Sequence, residues 1–232
     1  MQLKFTMPSK PTRTFVAVGL WIAAIGLSFL ADGWVATAAR AHGVPDFLKS
    51  TGLAAVLKIP GEYWFTAVLA IVAMIYYPRR PRWHAGAFVL LCGLLSGVNG
   101  LIKWIAGRAR PFKILGTKQE STFVQPFNFQ PLYDGLGGLF GTPNLCFPSG
   151  HAALAFANAA AIAILFPRWR WIAYAVATVT AAERFLETAH YFSDTVAAAA
   201  LGIGGAHLLA WLLAAKSDDL SPPSPGTPSE GR

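Results

Sequence analysis

Apolar residues come in long runs along this chain, separated by short polar or basic clusters, and runs of that length predict membrane-crossing helices. Six stand out, at about 15–39, 64–77, 85–105, 151–166, 169–185 and 192–215. Some are short for a hydrocarbon core that takes roughly 20 helical residues, so their ends are soft. Trp64, Tyr76, Tyr77, Trp83, Trp169, Trp171 and Trp211 fall near those ends, where amphipathic rings anchor a helix at the interface. The expected fold class is all-α, a polytopic membrane protein with six transmembrane helices. Residues 15–215 then form one membrane domain with an extracytoplasmic loop at 106–147, and 1–14 a cytoplasmic N-terminus. The Ser- and Pro-rich stretch 216–232 reads as a disordered cytoplasmic tail, and residues 45–59 as an additional amphipathic helix lying in the interface.

The first run also fits a cleaved signal peptide, with Lys4, Lys10 and Arg13 as its basic region and Ala36-Thr37-Ala38 as a small-residue cleavage site. Its length, and Asp32 and Trp34 in the approach to that site, favour retention as a span.

Composition agrees with a membrane protein: 54% of residues are hydrophobic and only 13% charged. A formal charge of +8 raises nucleic acid as a partner, yet the chain has no soluble basic domain or basic repeat. Topology and an anionic substrate account for the charge better. Lys4, Lys10 and Arg13, then Arg79, Arg80 and Arg82, then Arg168 and Arg170 occupy short polar segments that positive-inside bias puts in the cytoplasm. Both termini are then cytoplasmic, and 106–147 faces the other side although it holds Arg108, Arg110, Lys113 and Lys118. Cations on that side call for a functional explanation. Cys92 and Cys146 have no metal-ligand company and make no disulfide framework.

Three segments carry chemistry. Lys103 and Arg110 lie seven residues apart at the end of the third run, a spacing that puts both on one face of a helix stopped by Pro111. Pro148-Ser149-Gly150-His151 opens the fourth run, so Ser149 is positioned to cap a helix whose free N–H groups point toward an anion, and Gly150 allows close backbone approach. Arg184, His190 and Asp194 follow at the junction of the fifth and sixth runs, where Asp194 is spaced to accept a hydrogen bond from one nitrogen of His190 and leave the other free to attack. All three segments come to the same membrane face under the six-span layout.

In order and spacing these segments resemble the signature motifs of the type 2 phosphatidic acid phosphatase (PAP2) family, which shares its helical core and active-site pattern with vanadium haloperoxidases. Lys103–Pro111 fits Lys-x6-Arg-Pro, Pro148–His151 fits Pro-Ser-Gly-His, and Arg184–Asp194 fits Arg-x5-His-x3-Asp. The resemblance covers about residues 64–212, and Glu183 departs from it by standing where Ser is usual.

What the resemblance implies is a phosphatase that uses no metal and no cofactor and works through a phosphohistidine. His190 is then the nucleophile, Asp194 its orienting partner and His151 the proton donor to the leaving group and later the base for water. Lys103, Arg110, Ser149, Gly150 and Arg184 hold the phosphoryl oxygens. The partner is a membrane lipid phosphate, met at the extracytoplasmic face of the cell (inner) membrane. Undecaprenyl diphosphate ranks first and lipid A 1-phosphate second, beside phosphatidylglycerol phosphate, phosphatidic acid and diacylglycerol diphosphate. Two other readings stay open: phosphotransfer from undecaprenyl diphosphate to another lipid, and a lipid-phosphate transporter or flippase.

Other polar residues have blander expected roles. Arg108 reads as a snorkelling side chain, Glu187 as half of a helix-surface ion pair, His84 and His207 as structural, while Asp32 is given no role. Residues 112–147, rich in Phe, Gly and Pro, read either as a cover over the site or as packing on the helix ends.

Overall fold

Lipid offers the backbone no hydrogen-bond partner, so an apolar run there satisfies its own amides as a helix. The structure is a computed structural model and describes residues 11–78, 81–111, 129, 130, 132 and 145–219. Its helices are α1 (Pro11–Ala41), α2 (Val44–Ser50), α3 (Leu53–Leu57), α4 (Tyr63–Tyr76), α5 (Trp83–Leu95), α6 (Val98–Ala106), α7 (Gly150–Leu165), α8 (Arg170–Leu186) and α9 (Phe192–Asp219). A 3₁₀ turn at Ile59–Gly61 leads into α4 and another at Pro167–Trp169 into α8. Among the described residues no strand forms; the extended pairings are isolated bridges, Arg108 with Phe129 and Ala109 with Leu145.

By length and composition, Thr14–Ala41, Trp83–Ala106 and Phe192–Ala214 are able to cross a membrane, and Tyr63–Tyr76 and Gly150–Leu165 are shorter apolar helices. Each of the six apolar runs is therefore helical. The third is interrupted by a turn at Ser96–Gly97, where the Ser96 hydroxyl donates to the Gly93 carbonyl at 2.6 Å. Instead of one interfacial helix, residues 45–59 contain α2, α3 and the start of the turn, because Gly52 takes a left-handed φ of 73° between them. Helix α9 continues through Asp219, beyond the expected start of the tail at 216. Most of the expected cover, 112–128, 131 and 133–144, lies outside the described residues, as do Arg79 and Arg80.

Helix α7 is the centre of the bundle, packed on α8 and α9 and more lightly on α5. Its buried face is built from Ala152, Ala153, Ala155, Ala157, Ala159, Ala160 and Ala161, and small residues of this kind let helices approach closely in lipid. A Cβ at Gly202 of α9 would lie 2.7 Å from the Ala157 nitrogen, so the α7–α9 crossing depends on glycine there.

At the edge, α1 packs on α9 and turns most of its apolar side chains outward, Leu20, Leu27, Leu30 and Trp34 among them. What it buries is one stripe, Ser28, Asp32, Ala36 and Ala39, at helical spacing. A carboxylate therefore sits in the middle of the face by which α1 holds the bundle.

Candidate active site

The C-terminal end of α6, the N-terminal end of α7 and the turn between α8 and α9 converge on a cavity of about 330 Å³. Lys103, Arg110, Gly150, His151, Arg184 and His190 line it, so six of the eight residues singled out from the sequence meet there. Ser149 and Asp194 lie behind the wall, both fully buried.

Lys103 and Arg110 reach the cavity by a different route from the one expected. Helix α6 ends at Ala106, not at Pro111, because Gly107 takes a left-handed φ of 62° and its N–H closes the last turn on the Lys103 carbonyl at 2.8 Å. A Cβ at Gly107 would collide with the Gln130 carbonyl. Residues 108–110 then run extended between 129 and 145, with the Cys146 N–H donating to the Arg108 carbonyl at 2.8 Å. Arg110 enters from this segment and donates to the Ala189 carbonyl at 3.4 Å.

His190 sits in the α8–α9 turn. Thr188 takes the left-handed position after the helix, at φ 58°, and the chain curls so that the His190 N–H returns to the Arg184 carbonyl at 3.1 Å. The ring's Nδ1 is 2.9 Å from the Cys146 carbonyl and 3.5 Å from Oδ2 of Asp194. A carbonyl only accepts, so Nδ1 carries the hydrogen and a neutral ring has its lone pair on Nε2. Burial pushes the imidazole pKa down to about 4; the Asp194 carboxylate works against this, and Lys103 and Arg110 add to it. The ring is therefore neutral near pH 7, with Nε2 able to act as a nucleophile. Its main orienting partner is a backbone carbonyl that sequence pattern does not reveal. Burial, then the Asp194 charge, hold the neighbouring Cys146 thiol well above the ordinary value, which favours its protonated form.

Asp194 itself is held from behind. Its Oδ2 accepts the Tyr191 N–H at 2.8 Å and its Oδ1 accepts Nη1 of Arg108 at 2.5 Å. Arg108 is fully buried and does not snorkel. Its Nη1 also donates to the Ser193 hydroxyl at 2.8 Å, and Nη2 donates to Oδ2 of Asp32 at 2.7 Å. The guanidinium lies over the rings of Tyr191, Phe29 and Phe129, 4.0, 4.9 and 5.3 Å from their centroids. Asp32 completes the group by accepting the Ser193 N–H at 2.8 Å and its hydroxyl at 2.5 Å. The carboxylate left without a role in the sequence reading thus joins α1 to the back of the site.

Arg184 is less available to an anion than its place in the motif implies. Its Nε and Nη2 lie 2.7 and 2.8 Å from the two carboxylate oxygens of Glu183, and Nη2 also contacts Glu187. Only Nη1 of this guanidinium is without a hydrogen bond among the described residues. Glu183, buried where the motif usually has Ser, occupies the edge of Arg184 best shaped for two phosphate oxygens. Glu187 pairs with Arg184 as expected, with its side chain mostly buried.

Ser149 occupies the N-cap position of α7 without capping it. Its hydroxyl is buried and has no hydrogen bond among the described residues, while its N–H donates to the Asp194 carbonyl at 3.1 Å. Asn99 was not foreseen. With its amide nitrogen donating to the Pro148 carbonyl and its oxygen accepting the Gly150 N–H, both at 3.2 Å, it ties α6 to the start of α7. A Cβ at Gly150 would lie 3.1 Å from that amide, a tight contact that glycine avoids. His151 lines the cavity with Nε2 at 3.1 Å from Oε1 of Glu62.

Fold and cavity together define an all-helical membrane protein with a pocket where two histidines face three cations. A family model for the PAP2 superfamily matches residues 83–218, and the chain belongs to that superfamily. Two curated relatives, each named Lipid A 1-phosphatase, come from Rhizobium johnstonii and Rhizobium etli. Each is 34% identical over 118 residues, which is 50% of this chain but only 43% and 45% of the relatives' own lengths. The crystal structure of a transmembrane PAP2 type phosphatidylglycerolphosphate phosphatase from Bacillus subtilis is similar in fold. Its TM-score is 0.56 at 21% identity, over 91% of this chain and 98% of that one.

Proposed function

We propose that this protein is an integral-membrane phosphatase that removes phosphate from a lipid at the extracytoplasmic side of the cell membrane. In this reading the six apolar runs are six spans and both termini are cytoplasmic. One observation carries it: His190, with its Nδ1 turned to the Cys146 carbonyl, lines a cavity that also receives His151, Lys103 and Arg110.

The chemistry has two steps. Nε2 of His190 attacks phosphorus, the bond from phosphorus to the lipid oxygen breaks, and His151 gives that oxygen a proton. Water then attacks the phosphohistidine and loses a proton to His151 as the P–N bond breaks, releasing phosphate. Lys103, Arg110 and the open Nη1 of Arg184 offset the charge that gathers on the phosphoryl oxygens. Asp194, held by Arg108, faces the ring of His190 and offsets the positive charge that it acquires.

The names of the curated relatives move lipid A 1-phosphate ahead of undecaprenyl diphosphate as the substrate to test first. Released phosphate is measured in nanodiscs over both lipids, phosphatidylglycerol phosphate and phosphatidic acid, with His190→Ala as the blank. One lipid is expected to release phosphate well above that blank. Wild-type turnover in His190→Ala refutes the mechanism. Release that appears only when an acceptor lipid is added identifies a phosphotransferase instead.

A further inference from the structure

Glu62 lies upstream of the residues matched by the family model, at the N-cap of α4, yet it enters the cavity and meets His151. The segment that carries it is fixed at three points. The Leu57 carbonyl accepts the Thr180 hydroxyl of α8 at 2.8 Å, and the Pro60 carbonyl accepts Nδ2 of Asn158 of α7 at 3.2 Å. Gly61 lies flat against the backbone of His151, where a Cβ would be 2.7 Å from the His151 Cα. These ties hold the Glu62 carboxylate at the imidazole with Oε1 3.1 Å from Nε2, both side chains one-third exposed.

We propose that Glu62 is the positioning residue of His151. Its carboxylate holds the ring by Nε2 and supports positive charge on it. Nδ1, which has no hydrogen bond among the described residues, is left to exchange the proton with the lipid oxygen and then with water. The inference rests on the phosphohistidine reading above. No atom is added to that scheme: the proton that leaves His151 in the first step returns from water in the second. Other charges face this ring. Arg184 approaches from α8 and Lys58 from the α3 end, while Lys103, Arg110 and His190 lie across the cavity. Against these cations Glu62 is the acid in direct contact with the ring, so its removal leaves the imidazolium among like charges.

Phosphate release by purified wild-type protein, Glu62→Gln, Glu62→Asp, His151→Ala and His190→Ala is followed from pH 5 to pH 9. In Glu62→Gln, kcat is expected to fall about tenfold and its basic limb to move about one unit to lower pH, with KM little changed. Glu62→Asp keeps the charge, so its basic limb stays near the wild-type position. A lost limb in Glu62→Asp, or a Glu62→Gln enzyme with the wild-type limb, overturns the proposal, as does a change confined to KM. Since a merely structural role lowers the yield of folded protein without moving the limb, the profile separates the two. Activity retained by His151→Ala or His190→Ala sinks the underlying mechanism, whereas unchanged Glu62→Gln beside inactive histidine variants removes only the role of Glu62.

Discussion

Replacing Arg108 by methionine leaves Asp32 and Asp194 buried without the guanidinium that contacts both. Both carboxylates and the guanidinium are fully inaccessible, so solvent screening does not weaken their interaction. Breaking a buried ion pair by removing one partner costs about 3–5 kcal/mol, mostly from the charge left behind. Here two charges are left, although Asp32 keeps two hydrogen bonds from Ser193 and Asp194 keeps one from Tyr191. The loss expected for Arg108→Met is therefore about 3–5 kcal/mol, or about 6–20 °C in Tm for a chain of this size.

Asp32→Asn is milder, since Arg108 and Asp194 still balance, and about 1.5–3 kcal/mol is the scale of one hydrogen bond to a charged group. In the double variant only Asp194 is uncompensated, so its loss should fall short of the sum of the two single losses by about 0.5–3 kcal/mol. Thermal unfolding in detergent, paired with phosphate release, measures all three. Strict additivity, or an Arg108→Met protein with the wild-type Tm and kcat, refutes the reasoning and returns Arg108 to the role of an ordinary flanking cation.

Two further outcomes follow from the site. Because the pKa of His190 is pushed down to about 4, its reactive neutral form persists in acid. The acid limb of kcat/KM, corrected for the substrate phosphate's own ionisation near pH about 6, should therefore lie near pH 4, and a midpoint at the ordinary histidine value contradicts it. Glu183→Ser releases the Nε and Nη2 edge of Arg184 for phosphoryl oxygens, so vanadate and product phosphate should inhibit that variant more strongly than wild type. Weaker inhibition would mean that Glu183 is needed to hold Arg184 in place.

What the sequence made legible, and what it hid, divides along physical lines. The apolar runs became helices because lipid leaves their amides no other partner, and the convergence of Lys103, Arg110, Gly150, His151, Arg184 and His190 follows from which helix ends share a side. The route from Lys103 to Arg110 is hidden in the sequence because Ala106-Gly107-Arg108-Ala109 continues a helical pattern. Only the Gln130 carbonyl lying against Gly107 shows that the glycine is there to turn the chain. The burial of Arg108 is hidden for a related reason. A cation beside an apolar run normally reaches for water, and nothing local to it shows that Asp32, 76 residues away, waits in the bundle.

Glu62 and His151 are likewise 89 residues apart, and the carbonyl that orients His190 carries no side-chain signature. The parts that escaped the sequence share one property: each is a polar group whose partner comes from a distant segment or from the backbone. Six of the eight motif residues line the cavity, while Asp32, Arg108, Asn99 and the Cys146 carbonyl hold the set in place. A variant chosen from the motifs alone would test the chemistry and leave its support untouched. Arg108→Met probes that support directly because it removes the countercharge between α1 and Asp194 while leaving every cavity-lining side chain in the sequence.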